Sequence, residues 1–387
     1  MLNRRKFLQQ TATTAAGVII SQPSFSKILL QKKKDKLGVA LVGLGYYSTD
    51  LLAPALQLTK HCYLVGVVTG TPSKAEIWKE KYNLADKNIY NYQNFDSIAN
   101  NPDIDVVYIV LPPSMHAEYS IRAANAGKHV WCEKPMAVTE AECKSMIDAC
   151  AKNKVRLSIG YRMQHEPNTK RIIQFRKDLA YGKVMKVEAA AGYFDGRTDH
   201  WKQKKSMGGG VMGDMGVYPL NAARYSVGLE PNAVTAHAST TRPEIYKEVE
   251  ETMKFDLEFP GGATASCEAS FGKGMNDLMV TCSKGWYKLS PFQAYNGIDG
   301  ETSDGIRLNT PINNEQATQM DDDALAIMNN SVLIAPGEEG LKDIRVVEAI
   351  YRSVAQKRTS DDLNYFIVCS QSTNIFHFKF LITFTTV

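Results

Sequence analysis

The sequence lacks the cysteine and histidine patterns that build disulfide scaffolds or zinc sites. Its 387 residues include seven cysteines, an odd number, and none of them forms a CxxC motif. A chain of this length can bury a core without cross-links, so the cysteines are predicted to be small core residues. No two histidines have helical ligand spacing with a carboxylate, and no metal is therefore predicted.

The chain also lacks a long hydrophobic run and a large excess of one charge. The apolar stretch at residues 11–20 is shorter than the about 20 residues that span a bilayer. The formal net charge is +4, but eight basic residues and one acidic residue precede residue 37. Without them, 37 basic and 40 acidic residues remain, a net charge of −3. No basic face for nucleic acid and no membrane insertion of the mature protein are expected.

The first 33 residues contain a pair of arginines ahead of a modestly apolar segment. Arg4 and Arg5 precede Phe7, Leu8 and the apolar stretch, in the order typical of a twin-arginine export signal. The segment 24–26, Ser-Phe-Ser, offers a cleavage site with small residues. The alternative is a basic N-terminal arm on a cytoplasmic protein. The sequence predicts a signal over residues 1–33 and a periplasmic mature protein.

A short apolar run is followed at once by two glycines. Residues 37–42 are typical of a buried parallel strand, and Gly43 and Gly45 lead into a helix-compatible segment. Such a turn aims backbone N–H groups and the positive end of a helix dipole at one point, which suits a pyrophosphate. Ser48 takes the third small position of the dinucleotide fingerprint. A tight turn between two elements would give the same pattern.

Strand-like and helix-like segments alternate up to residue 160. This alternation predicts a doubly wound parallel sheet, whose ligands bind beyond the carboxyl ends of the strands. Gly43, Thr69, Pro112 and Lys134 all stand at such ends. The predicted strands are 37–42, 63–68, 106–111, 129–132 and 155–160, and the predicted helices are 51–58, 95–100, 114–126, 139–152 and one from Ser73. Thr49 or Asp50 is expected to cap the first helix and Ser114 the helix that ends at residue 126. Capping boxes are predicted for Ser73 with Glu76 and for Thr139 with Glu142.

The end of the second strand bears on the choice of cofactor. NAD enzymes carry an acidic residue about 20 residues past the glycines, but no Asp or Glu lies between Asp50 and Glu76. Thr69, Thr71 and Lys74 stand there instead. Hydroxyls and an ammonium group would hold a 2′-phosphate, so NADP is predicted over NAD. The alternative for Lys74 is a solvated helix lysine.

Lys134 follows a buried strand and precedes Pro135, which favours an extended backbone. A long cation at the carboxyl end of a strand would project over a bound nicotinamide. The alternative is a surface lysine in a loop.

Three segments together resemble the glucose–fructose oxidoreductase/inositol dehydrogenase (Gfo/Idh/MocA) family. They are Gly43-Leu44-Gly45-Tyr46-Tyr47, Glu133-Lys134-Pro135-Met136 and the run from Gly208 to Tyr225, which includes Asp214-Met215-Gly216-Val217-Tyr218. The resemblance covers about residues 35–358 and is strongest to the glucose–fructose branch. Members of that branch depend on NADP and are exported by the twin-arginine route.

The resemblance implies roles for individual residues. Lys134, Asp214 and Tyr218 match the catalytic set, with Tyr218 where many relatives carry His, and the Lys134–Pro135 bond is expected to be cis. The same three residues and Arg162 are expected to contact the substrate. The residues expected to contact the cofactor are Gly43, Gly45, Tyr46, Tyr47, Thr69, Gly70, Lys74, Leu111, Pro112, His116, Glu133, Lys134, Arg162 and Trp201.

The chemistry of the catalytic set can also be argued physically. Oxidation of a sugar hydroxyl needs a base for the O–H proton while hydride leaves the carbon, and a free tyrosine with a pKa of about 10 is a poor base. A neighbouring Lys⁺ stabilises a tyrosinate and a developing alkoxide. Asp214 and Tyr218 are four residues apart, which puts them on one helical face. Pro219 indicates instead that the helix begins near itself, with Asp214 in the preceding turn.

Residues 161–358 are predicted to form a second domain with a different pattern. Consecutive strand-like segments with turn signals indicate a mostly antiparallel open sheet. The predicted strands are 183–191, 233–239, 252–259, 263–269 and 278–282, and helices are predicted over 321–330 and 340–356. The resemblance implies that one face of this sheet covers the active site and the other joins subunits into a dimer or tetramer.

The overall prediction is a Rossmann domain over residues 34–160 followed by this α+β domain. Residues 359–387 fit neither and are interpreted as a tail from an altered reading frame, the alternative being an extra strand at a subunit interface. The predicted function is hydride transfer between a sugar carbon and NADP. The alternatives are an NAD(P)-dependent glycosidase acting by transient oxidation and a non-catalytic dinucleotide sensor.

Overall fold

The computed structural model describes residues 34–356. The predicted export signal and the predicted tail lie outside these residues. Within them, the chain forms two sheets that follow one another in sequence.

The first sheet has six parallel strands in the order β3-β2-β1-β4-β5-β6. The order reverses between β1 and β4, and this switch point is where doubly wound sheets bind their ligands. The strands are β1 (Leu37–Val42), β2 (Cys62–Val68), β3 (Ile89–Tyr90), β4 (Val106–Ile109), β5 (His129–Cys132) and β6 (Leu157–Ile159).

Helices cover both faces of this sheet, so its central strands β1 and β4 are buried at every position rather than at alternate ones. Trp131, Tyr108 and Phe95 are among its largest buried side chains. The helices in this part of the chain are α1 (Ala53–Leu56), α2 (Pro72–Tyr82), α3 (His116–Asn125) and α4 (Glu140–Lys152).

The second sheet has seven strands in the order β13-β12-β11-β7-β10-β9-β8. Only β7 and β10 pair in parallel, so the prediction of a mostly antiparallel sheet is confirmed. The strands are β7 (Val184–Gly192), β8 (Ala233–Ser239), β9 (Thr252–Glu258), β10 (Thr264–Ser270), β11 (Met275–Cys282), β12 (Gly285–Leu289) and β13 (Gly300–Thr302).

Four further helices complete the described chain. They are α5 (Pro167–Lys177), α6 (Val217–Val227), α7 (Glu315–Met328) and α8 (Gly337–Gln356). Helix α6 packs on the inner face of the second sheet. Helix α7 lies in the range predicted for the second domain, yet its Ala317, Met320 and Ala324 join the core of the first sheet.

Several predicted helix starts are wrong. The first helical segment begins at Tyr47 as a wide turn, and neither Thr49 nor Asp50 caps it. Pro72 opens α2, because its fixed φ suits the first helical position, and Ser73 does not form the predicted capping box. A 3₁₀ turn precedes α3, so Ser114 does not cap that helix. The Thr139–Glu142 capping box of α4 is confirmed.

In the second half, α7 begins at Glu315 rather than at the predicted residue 321, because Asn314 caps it. Helix α5 and the short strands β12 and β13 were not predicted. The six cysteines among the described residues are buried and free, as predicted. Within residues 34–356, no helix is long and apolar enough to cross a membrane.

Candidate active site

A cleft of about 1090 Å³ opens at the carboxyl ends of β1, β2, β4 and β5 and reaches the second sheet. It brings together most of the residues that the sequence predicted for cofactor and substrate. Those lining it are Gly43, Gly45, Tyr46, Tyr47, Thr69, Gly70, Lys74, Leu111, Pro112, Glu133, Lys134, Arg162, Trp201, Asp214 and Tyr218.

The glycine turn after β1 forms one end of this cleft. Gly43 has φ +90°, and a Cβ there would lie 2.4 Å from the carbonyl oxygen of Val110, so only glycine fits. The hydroxyl of the buried Ser48 donates a hydrogen bond to the carbonyl of Gly43. This hydrogen bond from Ser48 therefore stabilises the turn.

The residues at this end fit the phosphate groups of a dinucleotide. A Cβ on Gly45 would have no heavy atom within 4 Å, so the backbone there is open to a ligand. Lys74 Nζ donates to the carbonyl of Leu44 at 3.0 Å, which holds a cation beside the turn. Thr69 Oγ1 accepts a hydrogen bond from the Thr71 N–H at 3.2 Å. Backbone N–H groups, hydroxyls and an ammonium are the donors that bind phosphate.

Lys134 lies at the junction of the two sheets. The Lys134–Pro135 peptide bond is cis, as the family resemblance implied. Lys134 Nζ donates to the backbone carbonyl of Asp214 at 2.8 Å and lies 3.5 Å from Asp214 Oδ1. It also lies 4.7 Å from the centre of the Tyr218 ring. The three residues predicted to be catalytic are therefore in contact.

Asp214 and Tyr218 come from one helical segment. Asp214 lies in a wide turn over Met212–Gly216, and α6 follows directly from Val217. The helix thus begins two residues before Pro219, and Asp214 precedes it as Pro219 suggested. Gly213 permits this turn, since a Cβ there would lie 2.6 Å from the carbonyl oxygen of Gly208.

The electrostatics of this set keep both charged partners ionised. Burial raises the pKa of the Asp214 carboxyl, but Lys202 and Lys134 outweigh it and hold that pKa well below its usual range. Burial lowers the pKa of Lys134, but Tyr218, Asp214 and Glu133 outweigh it, so the pKa of Lys134 lies above its ordinary value. Each side chain is 13% exposed, which leaves a narrow opening to the cleft.

Lys202 and its neighbours were missed by the sequence reasoning. Lys202 Nζ forms an ion pair with Asp214 Oδ2 and donates to the Tyr193 hydroxyl at 2.9 Å. Arg197 also donates to that hydroxyl, at 3.0 Å, and is itself paired with Asp195. The sequence contains one indication of its position, since Lys202 directly follows Trp201, which the family resemblance places at the cofactor.

Arg162 lines the cleft and is almost fully buried. Its guanidinium lies 5.6 Å from the Tyr218 ring and 4.8 Å from the Tyr295 ring, and it forms an ion pair with Glu315. Burial raises the pKa of Glu315 to about 7 despite the attraction of Arg162. Arg162 therefore packs its guanidinium near the ring of Tyr218.

Glu133 and His116 support the cleft in different ways. Glu133 is buried, accepts a hydrogen bond from Tyr108 at 2.6 Å, and has a pKa raised by that burial. His116 is buried and does not line the cleft, and its expected contact with the cofactor stays a prediction. Its ring nitrogens lie 2.8 Å from the carbonyls of Leu111 and Pro135, so it ties together two segments that do line the cleft.

Two family models match the sequence. The oxidoreductase family with an NAD-binding Rossmann fold matches residues 37–161, and the GFO/IDH/MocA C-terminal domain matches residues 170–288. The chain belongs to the Gfo/Idh/MocA oxidoreductase family. It is therefore an enzyme that uses NAD(P), on the fold that the resemblance implied.

Members of this family are similar to the chain over most of its length. The crystal structure of aldose–aldose oxidoreductase from Caulobacter crescentus, complexed with glycerol, is 40% identical with a TM-score of 0.81, covering 84% of this chain and 99% of that chain. D-xylose 1-dehydrogenase [NADP(+)] of Haloarcula marismortui is 27% identical over 332 residues, 83% of this chain and 91% of that protein. Levoglucosan dehydrogenase in complex with NADH and levoglucosan shares the fold, with a TM-score of 0.73 and 22% identity over 84% of this chain and 98% of that chain.

Proposed function

We propose that this family member is an NADP-dependent oxidoreductase that transfers hydride between a CH–OH or carbonyl carbon of an uncharged sugar and the nicotinamide. The observation that carries the proposal is the contact of Lys134 with both Asp214 and Tyr218 in the cleft that also holds the glycine turn. The similar proteins named above are a xylose dehydrogenase and an aldose–aldose oxidoreductase, which supports a sugar as substrate.

The protein's own residues supply the proton chemistry. A bound nicotinamide provides the site that accepts or returns hydride. In oxidation Tyr218 acts as the phenolate and takes the proton from the sugar hydroxyl, and in reduction it acts as the phenol and gives that proton back. The Lys134 ammonium, 4.7 Å from the Tyr218 ring, stabilises the negative charge that develops on the phenol and sugar oxygens. Asp214 fixes the position of Lys134 through its backbone carbonyl.

The pairing of charges at the substrate end favours an uncharged sugar. Lys202 faces Asp214, Arg197 faces Asp195, and Arg162 faces Glu315. Each of these three cations already has a carboxylate partner, so none of them is free to bind the phosphate or carboxylate group of a charged sugar. The charge of Lys134 is used for the anion that forms in the reaction. Hydroxyl groups can instead add to these pairs as hydrogen-bond donors and acceptors.

The choice of NADP is supported by the residues at the end of β2. Lys74 stands beside the glycine turn, and the hydroxyls of Thr69 and Thr71 lie at the same strand end. The similar xylose dehydrogenase is NADP-dependent by its name.

The test replaces the two side chains that are proposed to carry the proton chemistry. Lys134→Met and Tyr218→Phe are expected to bind NADP with nearly unchanged affinity, measured by calorimetry. Each is expected to lower kcat for sugar oxidation by about 10²- to 10⁴-fold. Tyr218→Phe removes the general base, and Lys134→Met removes the charge that stabilises the developing anion. Lys144→Met is the control, because Lys144 pairs with Glu140 on the surface. Hydride transfer at the wild-type rate in both variants would contradict the proposal.

A further inference from the structure

The carboxylate of Asp214 is held by two lysines rather than one. Lys202 is paired with Oδ2, whereas Lys134 lies 3.5 Å from Oδ1 and makes its closer bond to the backbone carbonyl. The Tyr193 hydroxyl, 3.2 Å from Oδ2, completes the set around the carboxylate. Lys202 is therefore the stronger partner of this carboxylate.

The second lysine changes the net charge beside Tyr218. Lys134 and Asp214 alone would form a neutral pair, and a neutral pair attracts a developing anion only weakly. With Lys202 the three groups carry one net positive charge. Because they are largely shielded from water, this charge acts more strongly than it would in bulk solvent.

We propose that Lys202 is a positioning residue that neutralises Asp214 and so leaves the charge of Lys134 to stabilise the anion at Tyr218. The inference rests on the proposed function, since Tyr218 is the group that exchanges the proton.

The surroundings of Lys202 fix its position. Its ammonium lies 5.3 Å from the Tyr193 ring, 5.7 Å from the Trp201 ring and 6.0 Å from the Phe271 ring, distances at which a cation is attracted to an aromatic face. This arrangement leaves the ammonium little freedom to turn away from Asp214.

The groups that face Asp214 come from several segments. Lys134, Tyr193 and Lys202 contact its side chain directly, and Arg197 and His200 interact with it at longer range. Tyr218 lies on the same helical segment, with its ring 4.7 Å from the Lys134 ammonium. Lys202 is the first of the groups that lower the pKa of Asp214, and burial opposes them. Removing Lys202 should therefore raise that pKa.

The experiment uses the full chain with substitutions in one loop. Lys202→Met removes the charge and Lys202→Arg keeps it. Lys204→Met is the matched control, since Lys204 lies two residues away and pairs with the exposed Asp199 at 2.8 Å. Tyr193→Phe removes the hydroxyl that Lys202 and Asp214 share, and it provides a second test if Lys202→Met does not fold.

The first readout needs no catalysis. The side-chain carboxyl carbon of Asp214 is followed by NMR against pH, with the signal assigned from its loss in Asp214→Asn. Its titration is expected to move to higher pH in Lys202→Met, to move less in Tyr193→Phe, and to stay in place in Lys202→Arg and Lys204→Met. An unchanged titration in both Lys202→Met and Tyr193→Phe would overturn the inference.

The second readout is the pH–rate profile of sugar oxidation. In Lys202→Met, kcat is expected to fall by about 10²-fold with a much smaller change in KM, as for the loss of one preorganised charge in an active site. The acid limb of the profile should move to higher pH, and Lys202→Arg should restore most of the rate. A wild-type profile in Lys202→Met would overturn the inference. If the wild-type protein oxidises no sugar, the proposed function fails while the NMR titration still decides the role of Lys202 in holding Asp214.

Discussion

Lys74 is the residue that links the end of β2 to the glycine turn. Its ammonium donates to the carbonyl of Leu44, so the charge lies beside the proposed phosphate site. We expect Lys74→Met to weaken NADP binding by about 10-fold, because one charge-assisted hydrogen bond to phosphate is lost. NAD binding should change little, since NAD lacks the 2′-phosphate.

Calorimetric titration of NADP and of NAD into the wild-type protein and into Lys74→Met measures the change in affinity for each cofactor. Lys79→Met is the control, because Lys79 lies on the same helix but pairs with Asp86. An equal loss of NADP and NAD affinity in Lys74→Met would show that Lys74 acts on the turn and does not select the cofactor.

The sequence could predict the residues whose position follows from a strand end. Lys134 stands two residues after the end of β5, and Asp214 and Tyr218 share one motif, so contact between the three could be expected. Lys202 and Glu315 gave no such signal. Glu315 meets Arg162 across 153 positions of sequence, and such a contact depends on how the whole chain packs.

The glycine turn after β1 contains two glycines with different roles. At Gly43 a Cβ would meet the carbonyl of Val110 and the positive φ would be strained, so Gly43→Ala is expected to destabilise the fold by about 1–3 kcal/mol. At Gly45 a Cβ would meet nothing within 4 Å, so Gly45→Ala should fold normally. The added methyl would instead enter the open space proposed for the cofactor.

Urea unfolding and NADP titration separate the two effects. Gly45→Ala should keep the wild-type unfolding midpoint and bind NADP more weakly, whereas Gly43→Ala should lose stability. Unchanged NADP affinity in Gly45→Ala would place the cofactor away from this turn.

Helix α7 carries a buried carboxylate into the core beside the first sheet. Burial raises the pKa of Asp323 from about 4 to about 6, although His165 and Ser158 oppose it. The folded protein therefore holds this proton to higher pH than the unfolded chain does. The contribution of Asp323 to the free energy of unfolding should fall, by up to about 3 kcal/mol, as pH rises from about 4 through about 6.

Asp323→Asn should remove this pH dependence, because the amide does not ionise. The free energy of unfolding is measured by urea titration for the variant and for wild type at about pH 5 and at about pH 8. We expect the variant to be more stable relative to wild type at the higher pH than at the lower one. Asp178→Asn serves as the control, since Asp178 is exposed. The predicted ionisation would be contradicted if the free energy of unfolding differed between Asp323→Asn and wild type by the same amount at both pH values.

At the level of elements, strands were easier to predict than helix starts. The run of β1 is apolar at every position, and β8 has the limits that the sequence predicted. Helix starts failed where 3₁₀ or wide turns come before the regular helix, since several residues can then serve as the first turn. The order of strands in the second sheet, with its parallel β7–β10 pair, depends on long-range contacts.

At the scale of the whole molecule, the cleft joins the two sheets at the edge where β1, β2, β4 and β5 end. The glycine turn, Lys74 and Lys134 come from segments that follow strands of the first sheet. Asp214 and Tyr218 come from the helical segment that packs on the second sheet. The limits of the two domains, export by the twin-arginine route to the periplasm, and assembly through the second sheet stay predictions of the sequence.

The central claim is hydride transfer between an uncharged sugar and NADP, and the absorbance of reduced nicotinamide tests it most directly. The spectrum of the full-chain protein, with one equivalent of NADP⁺, is recorded before and after glucose, xylose or another uncharged aldose is added. We predict that the band of reduced nicotinamide appears with at least one of these sugars, and that it does not appear in Tyr218→Phe. Absence of the band with every sugar, in protein that binds NADP⁺, would contradict the account.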